Sequence, residues 1–119
     1  MYKNVKYVLL DPSCSGSGIV GRLDHLLNEL NDSSTAEEQE ELDSSRLQSL
    51  AEFQKKAILH AFTFPNVKKV VYSTCSKHHD ENEDVVKYIL DYQKEFGLEK
   101  GVFPSWTRRG LPIIPEGAL

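Results

Sequence analysis

Two hydrophobic segments, each followed at once by a short cysteine-containing motif, constrain the fold of this chain most. The first, residues 5–10 (VKYVLL), precedes residues 11–18 (DPSCSGSG). The second, residues 67–72 (VKKVVY), precedes residues 73–76 (STCS). Both segments are short and rich in β-branched or aromatic residues, which predicts β-strands. Two strands separated by helical sequence favour a right-handed βαβ unit with parallel strands, so we predict an α/β fold.

The two motifs also predict where chemistry takes place. In α/β sheets the loops that follow parallel strands line the crevice in which ligands bind. Cys14 and Cys75 are the only cysteines of the chain, and each lies in such a loop. Because neighbouring strands lie about 4.8 Å apart, we expect both thiols at one rim of the sheet, within roughly 10 Å of each other.

Apolar residues at spacings of three and four predict helices between and after the strands. The first helix covers residues 19–30, the second covers residues 47–62, and the third begins near Asp80, which forms a capping-box pattern with Glu83. The apolar run of the first strand predicts burial on both of its faces. Since two strands seldom make a stable sheet alone, we expect the chain to be part of a larger parallel sheet.

An acidic, serine-rich segment separates the first two predicted helices. Six of the 18 acidic residues fall within residues 31–45, which contain no Lys or Arg. Such a segment has little apolar surface to pack, so we predict a flexible, solvated loop. The rest of the chain holds 12 acidic and 14 basic residues, because 18 − 6 = 12. The net charge of −4 therefore does not exclude RNA as a partner.

The composition excludes several classes of protein. Apolar residues make up 39% and charged residues 27% of the chain, which is typical of a globular domain and not of a disordered one. No apolar run approaches the ~20 residues that span a bilayer, and the N-terminus lacks the apolar core of a signal peptide. We therefore expect no membrane partner and reduced thiols, since small secreted scaffolds normally carry more than two cysteines.

The two cysteine motifs, in this order, resemble the motif pair of the Nop/Sun family of RNA cytosine-5 methyltransferases. Within that family the form found at residues 11–16 (DPSCSG) is more restricted than the common Asp-Ala-Pro-Cys-Ser-Gly. Together with residues 81–86 (ENEDVV) and 109–111 (RGL), it resembles the subgroup that acts on large-subunit ribosomal RNA. The resemblance implies a Rossmann-like class I methyltransferase domain, S-adenosyl-L-methionine as cofactor and RNA as substrate. It also implies a location in the nucleus, within the nucleolus, with the cytosol as the alternative.

The resemblance also implies that residues 1–119 are one part of a catalytic domain. In the family, a Gly-rich loop after the first strand of the sheet binds the cofactor, and an acidic residue after the second strand holds its ribose. The two strands of this chain correspond to the fourth and fifth, so the N-terminal cofactor-loop strands and the final hairpin are expected to be missing. We expect a truncated, inactive fragment that is monomeric. The alternative is a non-catalytic remnant that binds RNA or a protein partner weakly.

By resemblance, three residues carry the chemistry. Cys75 is the nucleophile that adds to C6 of cytosine, which divides one difficult step into two easier ones. Cys14 takes part in releasing the methylated product. Asp11 contacts N3 and the amino group of the cytosine, and it also borders the methionine end of the cofactor.

Basic residues near the motifs are the candidates for assisting Cys75 and binding RNA. Only a thiolate attacks, so Cys75 should have a lowered pKa, and Lys77, His78 and His79 are the candidate sources of positive charge. Lys77 is also a predicted RNA contact. Arg22 is the second, because an RNA phosphate can dock at the turn of residues 15–18 before a helix. This turn lacks the Lys and the spacing of a P-loop.

Each assignment has a less specific alternative. Cys14 and Cys75 could be small buried apolar residues, because free cysteine is commonly buried. Asp11 could cap the turn that follows it. Cys14, Cys75, His78 and His79 offer atoms that zinc accepts, but no second Cys-x-x-Cys or spaced His pair accompanies them, so no metal is predicted.

Overall fold

The structure is a computed structural model that describes residues 2–19, 36–99, 103–105 and 110–111. Two strands and two α-helices alternate along these residues. They are β1 (Tyr7–Leu10), α1 (Ala36–Phe62), β2 (Lys69–Tyr72) and α2 (Glu83–Tyr92), and a short 3-10 helix (His79–Glu81) precedes α2. Neither α1 nor α2 has the length and apolar character needed to cross a membrane, as judged over the described residues.

The strands β1 and β2 pair in parallel, with Tyr7 opposite Lys69 and Leu10 opposite Tyr72. The prediction of an α/β fold with two neighbouring parallel strands is therefore confirmed. Each strand begins two residues later than predicted, and both end where predicted. The carboxyl ends of β1 and β2 lie side by side, so the two cysteine loops leave the sheet at the same edge.

Both helices contribute to a single hydrophobic core. Ala51 and Ile58 from α1 are buried against Val85 and Ile89 from α2. Leu10 of β1 is among the partly buried side chains that pack against this cluster, with Leu59, Phe62 and Tyr72. Burying a side chain of the size of Val or Ile contributes about 1.5–3 kcal/mol. The core therefore joins α1 to α2 and to the face of the sheet that carries Leu10 and Tyr72.

The other face of the sheet is open to solvent. Tyr7 is 68%, Leu9 74% and Val71 54% exposed. Successive side chains of a strand point to opposite faces, and the core residue Leu10 lies on the other face from these three. The prediction that the first strand is buried on both faces is therefore wrong for the described residues.

The helix α1 begins at Ala36, eleven residues earlier than predicted. The predicted acidic loop of residues 31–45 is thus helical from residue 36 onward, and residues 31–35 lie outside the described part. Ala, Glu, Gln and Leu dominate this stretch and are strong helix formers, and acidic residues favour the N-terminal end of a helix dipole. Glu41 and Asp43 are exposed on the helix, so these acidic side chains are solvated without a loop. The predicted helix over residues 19–30 also lies outside the described residues.

The N-cap of α2 is Asn82, and its side chain makes no capping hydrogen bond. The predicted capping box that begins at Asp80 is therefore wrong, because Asp80 lies in the preceding 3-10 helix. The side-chain amide of Asn82 instead donates to the carbonyl oxygens of Ser76 (3.0 Å) and His78 (2.9 Å). Asn82 thus ties the start of α2 to the loop that carries Cys75.

Candidate active site

The two cysteine thiols face each other at the carboxyl end of the sheet. Cys14 Sγ lies 3.1 Å from Cys75 Sγ, although 61 residues separate them in sequence. Both cysteines are free; Cys14 is partly buried and Cys75 is exposed. The predicted juxtaposition of the two thiols at one rim is confirmed.

A glycine brings the two loops into backbone contact. The N–H of Gly18 donates a hydrogen bond to the carbonyl oxygen of Cys75 at 2.7 Å. A Cβ atom at position 18 would lie 2.6 Å from that oxygen, closer than van der Waals contact permits. Gly16 has a second reason to be glycine, since its φ of 70° lies in the left-handed region. The small residues of the first motif therefore serve a turn and a close approach.

Three serine hydroxyls join the loops next to the thiols. Ser15 Oγ lies 3.2 Å from Ser17 Oγ, and each of them lies 3.3 Å from Ser76 Oγ. The backbone N–H groups of the second loop also donate to this cluster, from Lys77 to Ser17 Oγ (2.9 Å) and from His78 to Ser76 Oγ (3.0 Å). The cluster fixes the loop after β1 to the loop after β2 through side chains as well as backbone.

Glu81 is a buried carboxylate beneath the thiol-bearing loops. Its relative exposure is 0%, and it accepts hydrogen bonds from the Ser15 N–H (2.9 Å), the Ser15 hydroxyl (2.6 Å) and the Gln54 amide (2.9 Å). Burial raises the pKa of Glu81, but the hydrogen bonds donated by Ser15, Ser76 and Gln54 outweigh it and hold the pKa below 4.5. Glu81 is therefore ionised at neutral pH, with its charge distributed among hydrogen-bond donors.

Gln54 is the second buried polar residue of this network, with a relative exposure of 0%. Its amide nitrogen also donates to the carbonyl oxygen of Ser13 (3.0 Å), and its amide oxygen accepts from the hydroxyl of Tyr72 (3.1 Å). The same hydroxyl donates to the backbone carbonyl of Glu81. Burial and the charge of Glu81 raise the pKa of Tyr72 far above its ordinary value, so the hydroxyl remains a donor.

The sequence did not reveal either residue of this buried pair. Gln54 carried the clearer signal, because it lies between Ala51 and Ile58 on the apolar face of α1, where a polar residue is unexpected. Glu81 begins the segment 81–86 that carried the family resemblance, but nothing in its neighbourhood indicated burial. The groups that donate hydrogen bonds to Glu81 belong to Ser15 and Gln54, which are distant in sequence.

The pKa of the Cys75 thiol is raised above its ordinary value. The hydrogen bond with Cys14 is the main cause, followed by desolvation and by the charges of Cys14 and Asp11. Asp11 is exposed at the end of β1, and its carboxylate is close enough to affect the Cys75 thiol. Either thiol can donate the hydrogen bond that joins the pair.

The prediction of a lowered Cys75 pKa is therefore wrong for this geometry. Lys77, His78 and His79 were its proposed sources of positive charge, and all three are exposed. The imidazole of His79 turns to Asp84 instead, with 2.7 Å between Nδ1 and Oδ2. Arg22, the other predicted RNA contact, lies outside the described residues.

Metal-ligand side chains come together at one place in the described ranges, and it is not the thiol pair. His79, Asp80 and Asp84 each offer one ligand atom within 4.8 Å of the others. His79 forms ion pairs with both carboxylates, at 3.8 Å to Asp80 and 2.7 Å to Asp84. Within the described residues, the alternative zinc set of Cys14, Cys75, His78 and His79 does not form such a group.

A cavity of about 500 Å³ opens beside the serine cluster. Its walls come from the first cysteine loop, the exposed part of α1 and the loop after β2, and its lining includes Ser15, Ser17, Arg46 and His78. Arg46 is a positively charged residue that the sequence did not single out. The cavity brings hydroxyl groups and a guanidinium together beside the serine cluster.

The segment near residue 110 packs against the start of α2. The N–H of Leu111 donates to Glu83 Oε1 at 2.9 Å, and a Cβ atom at Gly110 would lie 2.6 Å from the same oxygen. Of the two short segments that contributed to the family resemblance, residues 81–86 and the described part of the second, residues 110–111, are therefore neighbours in the structure.

The comparisons with known proteins bear on this pair of loops. A family model described as 16S rRNA methyltransferase RsmB/F matches residues 2–109. The chain belongs to this methyltransferase family. The match covers β1, β2 and both cysteine motifs, so the family recognised from the motifs is confirmed.

Three similar proteins are named as methyltransferases of large-subunit ribosomal RNA. The Arabidopsis thaliana protein named 25S rRNA (cytosine-C(5))-methyltransferase NSUN5 is 50% identical over 115 residues, which are 95% of this chain and 20% of that protein. The Schizosaccharomyces pombe 25S rRNA (cytosine-C(5))-methyltransferase rcm1 is 45% identical, over 94% of this chain and 23% of its own length. A Mus musculus 28S rRNA (cytosine-C(5))-methyltransferase is 43% identical, over 96% and 22%. The chain thus spans about a fifth of these relatives.

Proposed function

We propose that this chain supplies the two thiols of an S-adenosylmethionine-dependent methyltransferase that modifies C5 of cytosine in ribosomal RNA. The observation that carries the proposal is the 3.1 Å separation of Cys14 Sγ and Cys75 Sγ, in a member of the RsmB/F methyltransferase family. The names of the relatives support the RNA substrate and the position of the methyl group.

In this proposal Cys75 is the nucleophile, because its thiol is the exposed one of the pair. The thiolate adds to C6 of cytosine, forming an Sγ–C6 bond and moving electron density to C5. Carbon C5 would then take the methyl group that bound S-adenosylmethionine supplies; the sulfur–methyl bond of the cofactor would break as the C5–methyl bond forms, and S-adenosylhomocysteine would leave. Covalent addition makes C5 nucleophilic, which the unmodified ring is not.

Product release requires two further changes: the C5 proton leaves and the Sγ–C6 bond breaks, which returns the thiolate of Cys75. We assign Cys14 to this release, because its sulfur lies 3.1 Å from that of Cys75. Asp11 holds the N3 edge and the amino group of the cytosine. Asp11 is exposed, and its negative charge acts on the same thiol, so it fits both the cytosine and the ammonium group of the cofactor's methionine end.

The wider setting follows from the same proposal. β1 and β2 are two strands of a Rossmann-like class I domain, whose cofactor-loop strands would lie in parts of such a protein that this chain does not represent. Lys77 and Arg22 contact the RNA backbone, and the exposed Arg46 beside the serine cluster joins them. The 25S and 28S ribosomal RNA in the names of the relatives supports a location in the nucleus, and within it the nucleolus.

A chimera tests the proposal most directly. This chain replaces the matching 115-residue segment of the 50% identical Arabidopsis protein, and the chimera is incubated with S-adenosylmethionine and a ribosomal RNA transcript containing 5-fluorocytosine. Fluorine at C5 cannot leave as a proton does, so the Sγ–C6 adduct persists. We expect an adduct that survives denaturation, with the RNA attached at Cys75 by mass spectrometry.

Two variants and one comparison complete the test. Cys75→Ala should form no adduct and transfer no methyl group. Cys14→Ala should accumulate the adduct even on ordinary cytosine, because addition is retained and release fails. Methyl transfer by the Cys75→Ala chimera would overturn the proposal. RNA binding by the chain and the chimera without any adduct would support the alternative of a non-catalytic remnant.

A further inference from the structure

We infer that Glu81 and Gln54 are positioning residues that set the distance between the thiols of Cys14 and Cys75. The consequence of this positioning for catalysis rests on the proposed function. The positioning itself is argued from the buried hydrogen bonds alone. Neither residue touches a sulfur atom; both act through the backbone and hydroxyl groups that flank the cysteines.

Gln54 and Glu81 hold the loop of Cys14 on both sides of the cysteine. Gln54 binds the carbonyl oxygen of Ser13, the residue before Cys14, at 3.0 Å. Glu81 binds the N–H and the hydroxyl of Ser15, the residue after it, at 2.9 and 2.6 Å. Gln54 and Glu81 are themselves joined at 2.9 Å. The peptide units around Cys14 are therefore fixed by two linked side chains from different helices.

The pair also reaches the loop of Cys75. The hydroxyl of Tyr72, at the end of β2, shares its single proton between the amide oxygen of Gln54 and the carbonyl oxygen of Glu81. The hydroxyl of Ser76, the residue after Cys75, hydrogen-bonds Ser15 and contributes to the lowered pKa of Glu81. Glu81 and Gln54 thus hold residues in the loop of Cys14 and residues in the loop of Cys75.

The buried charge of Glu81 has a function other than stability. A buried ion pair or carboxylate is seldom the most stabilising choice, and an apolar residue of similar size packs as well or better. A carboxylate differs in offering only acceptors, so it can bind several donors from separate segments at once. Within the described residues no buried side-chain polar atom lacks a partner, so the network is complete. Glu81 thereby specifies the relative placement of the loops.

The thiol–disulfide equilibrium of this chain measures that placement without any enzymatic activity. Oxidised glutathione accepts two electrons from the thiols of Cys14 and Cys75, giving one intramolecular disulfide and two molecules of reduced glutathione. The equilibrium constant reports the effective concentration of one thiol at the other. We expect Glu81→Ala to lower this constant about tenfold or more, as the loss of hydrogen bonds to a charged group implies.

Conservative and control variants separate positioning from folding. Glu81→Gln keeps one acceptor for Ser15 N–H and Gln54, so its constant should stay within about threefold of the wild type. Gln54→Met, similar in size but without hydrogen bonds, should lower the constant as Glu81→Ala does. Val85→Ala removes volume from the fully buried core beside Glu81 and should lower the melting temperature while leaving the constant unchanged. Circular dichroism confirms that each variant is folded.

Three outcomes would overturn the inference: a folded Glu81→Ala variant with the wild-type constant, a Val85→Ala variant shifted as much as Glu81→Ala, or a Glu81→Gln variant no better than Glu81→Ala. The inference would also be overturned if the wild-type thiol–disulfide equilibrium constant were the same in the folded chain and in the chain unfolded by urea. The result is independent of the chimera experiment. A chimera that forms no adduct would reject the proposed function, yet a tenfold shift in Glu81→Ala would still support the positioning role.

Discussion

The backbone N–H of Gly18 donates to the carbonyl oxygen of Cys75 across 2.7 Å, and this contact joins the loop after β1 to the loop after β2. Because both partners are backbone atoms, neither can rotate away from a larger neighbour. The contact lies four residues beyond Cys14, so it controls how closely the first thiol approaches the second. The close approach of the two thiols therefore requires a residue without a side chain at position 18.

Gly18→Ala should therefore destabilise the protein and separate the thiols. The new Cβ would lie 2.6 Å from the Cys75 oxygen, and overpacking against an atom that cannot move typically costs about 1–3 kcal/mol. Urea denaturation measures the change. Gly97→Ala is the matched control, because a Cβ there meets no atom within 4 Å and its effect should stay within about 0.5 kcal/mol. Equal stability of the two variants would contradict the close contact.

The thiol pair itself makes a second prediction. Cys14→Ala removes the hydrogen bond that is the main cause of the raised Cys75 pKa. The pKa of Cys75 should fall, and its alkylation by iodoacetamide at neutral pH should become faster, because only the thiolate reacts. The pH dependence of the alkylation rate, followed by mass spectrometry of Cys75, measures this. Ser13→Ala alters the neighbouring exposed side chain and should leave the profile unchanged; a slower reaction in Cys14→Ala would contradict the prediction.

The strands and the meeting of the thiols could be predicted because both depend on local pattern and simple topology. Residues 5–10 and 67–72 are apolar and β-prone, and parallel strands bring their carboxyl ends to one edge. From that edge the proximity of Cys14 and Cys75 follows, although the distance of 3.1 Å between the sulfur atoms does not.

Burial of charge and the helix start could not be predicted, for different physical reasons. Glu81 is buried only because donors from α1 and from both cysteine loops meet it, and no local pattern shows such a meeting. The sequence predicts a loop at residues 36–45 because an acidic, serine-rich segment has too little apolar surface to pack. Acidic residues solvated on a helix surface need no such packing, and their helix propensity decided the outcome.

The pairing of His79 with Asp84 makes a prediction about pH. The hydrogen bond that His79 donates to Asp84, with the charges of Asp80 and Asp84, raises the pKa of His79 above 6.5. A raised histidine pKa stabilises the fold fully below the unfolded pKa of 6.5, and this contribution is lost as the pH rises through the folded pKa. Asp84→Asn should move the pKa of His79 down toward 6.5 in an NMR titration. Asp91→Asn, which breaks the separate pair with Lys87, should not move it.

The open face of the sheet makes the last prediction. Leu9 is 74% exposed and lies beside the exposed Tyr7 and Val71, so this face offers adjoining apolar side chains to water. Such a surface binds apolar dyes, and Leu9→Thr should reduce anilinonaphthalene sulfonate fluorescence with little loss of stability, since Thr retains β propensity. Leu10→Thr is the control on the opposite face: Leu10 packs against the core, so the variant should unfold more easily. Dye binding unchanged by Leu9→Thr would mean that this face is covered in solution.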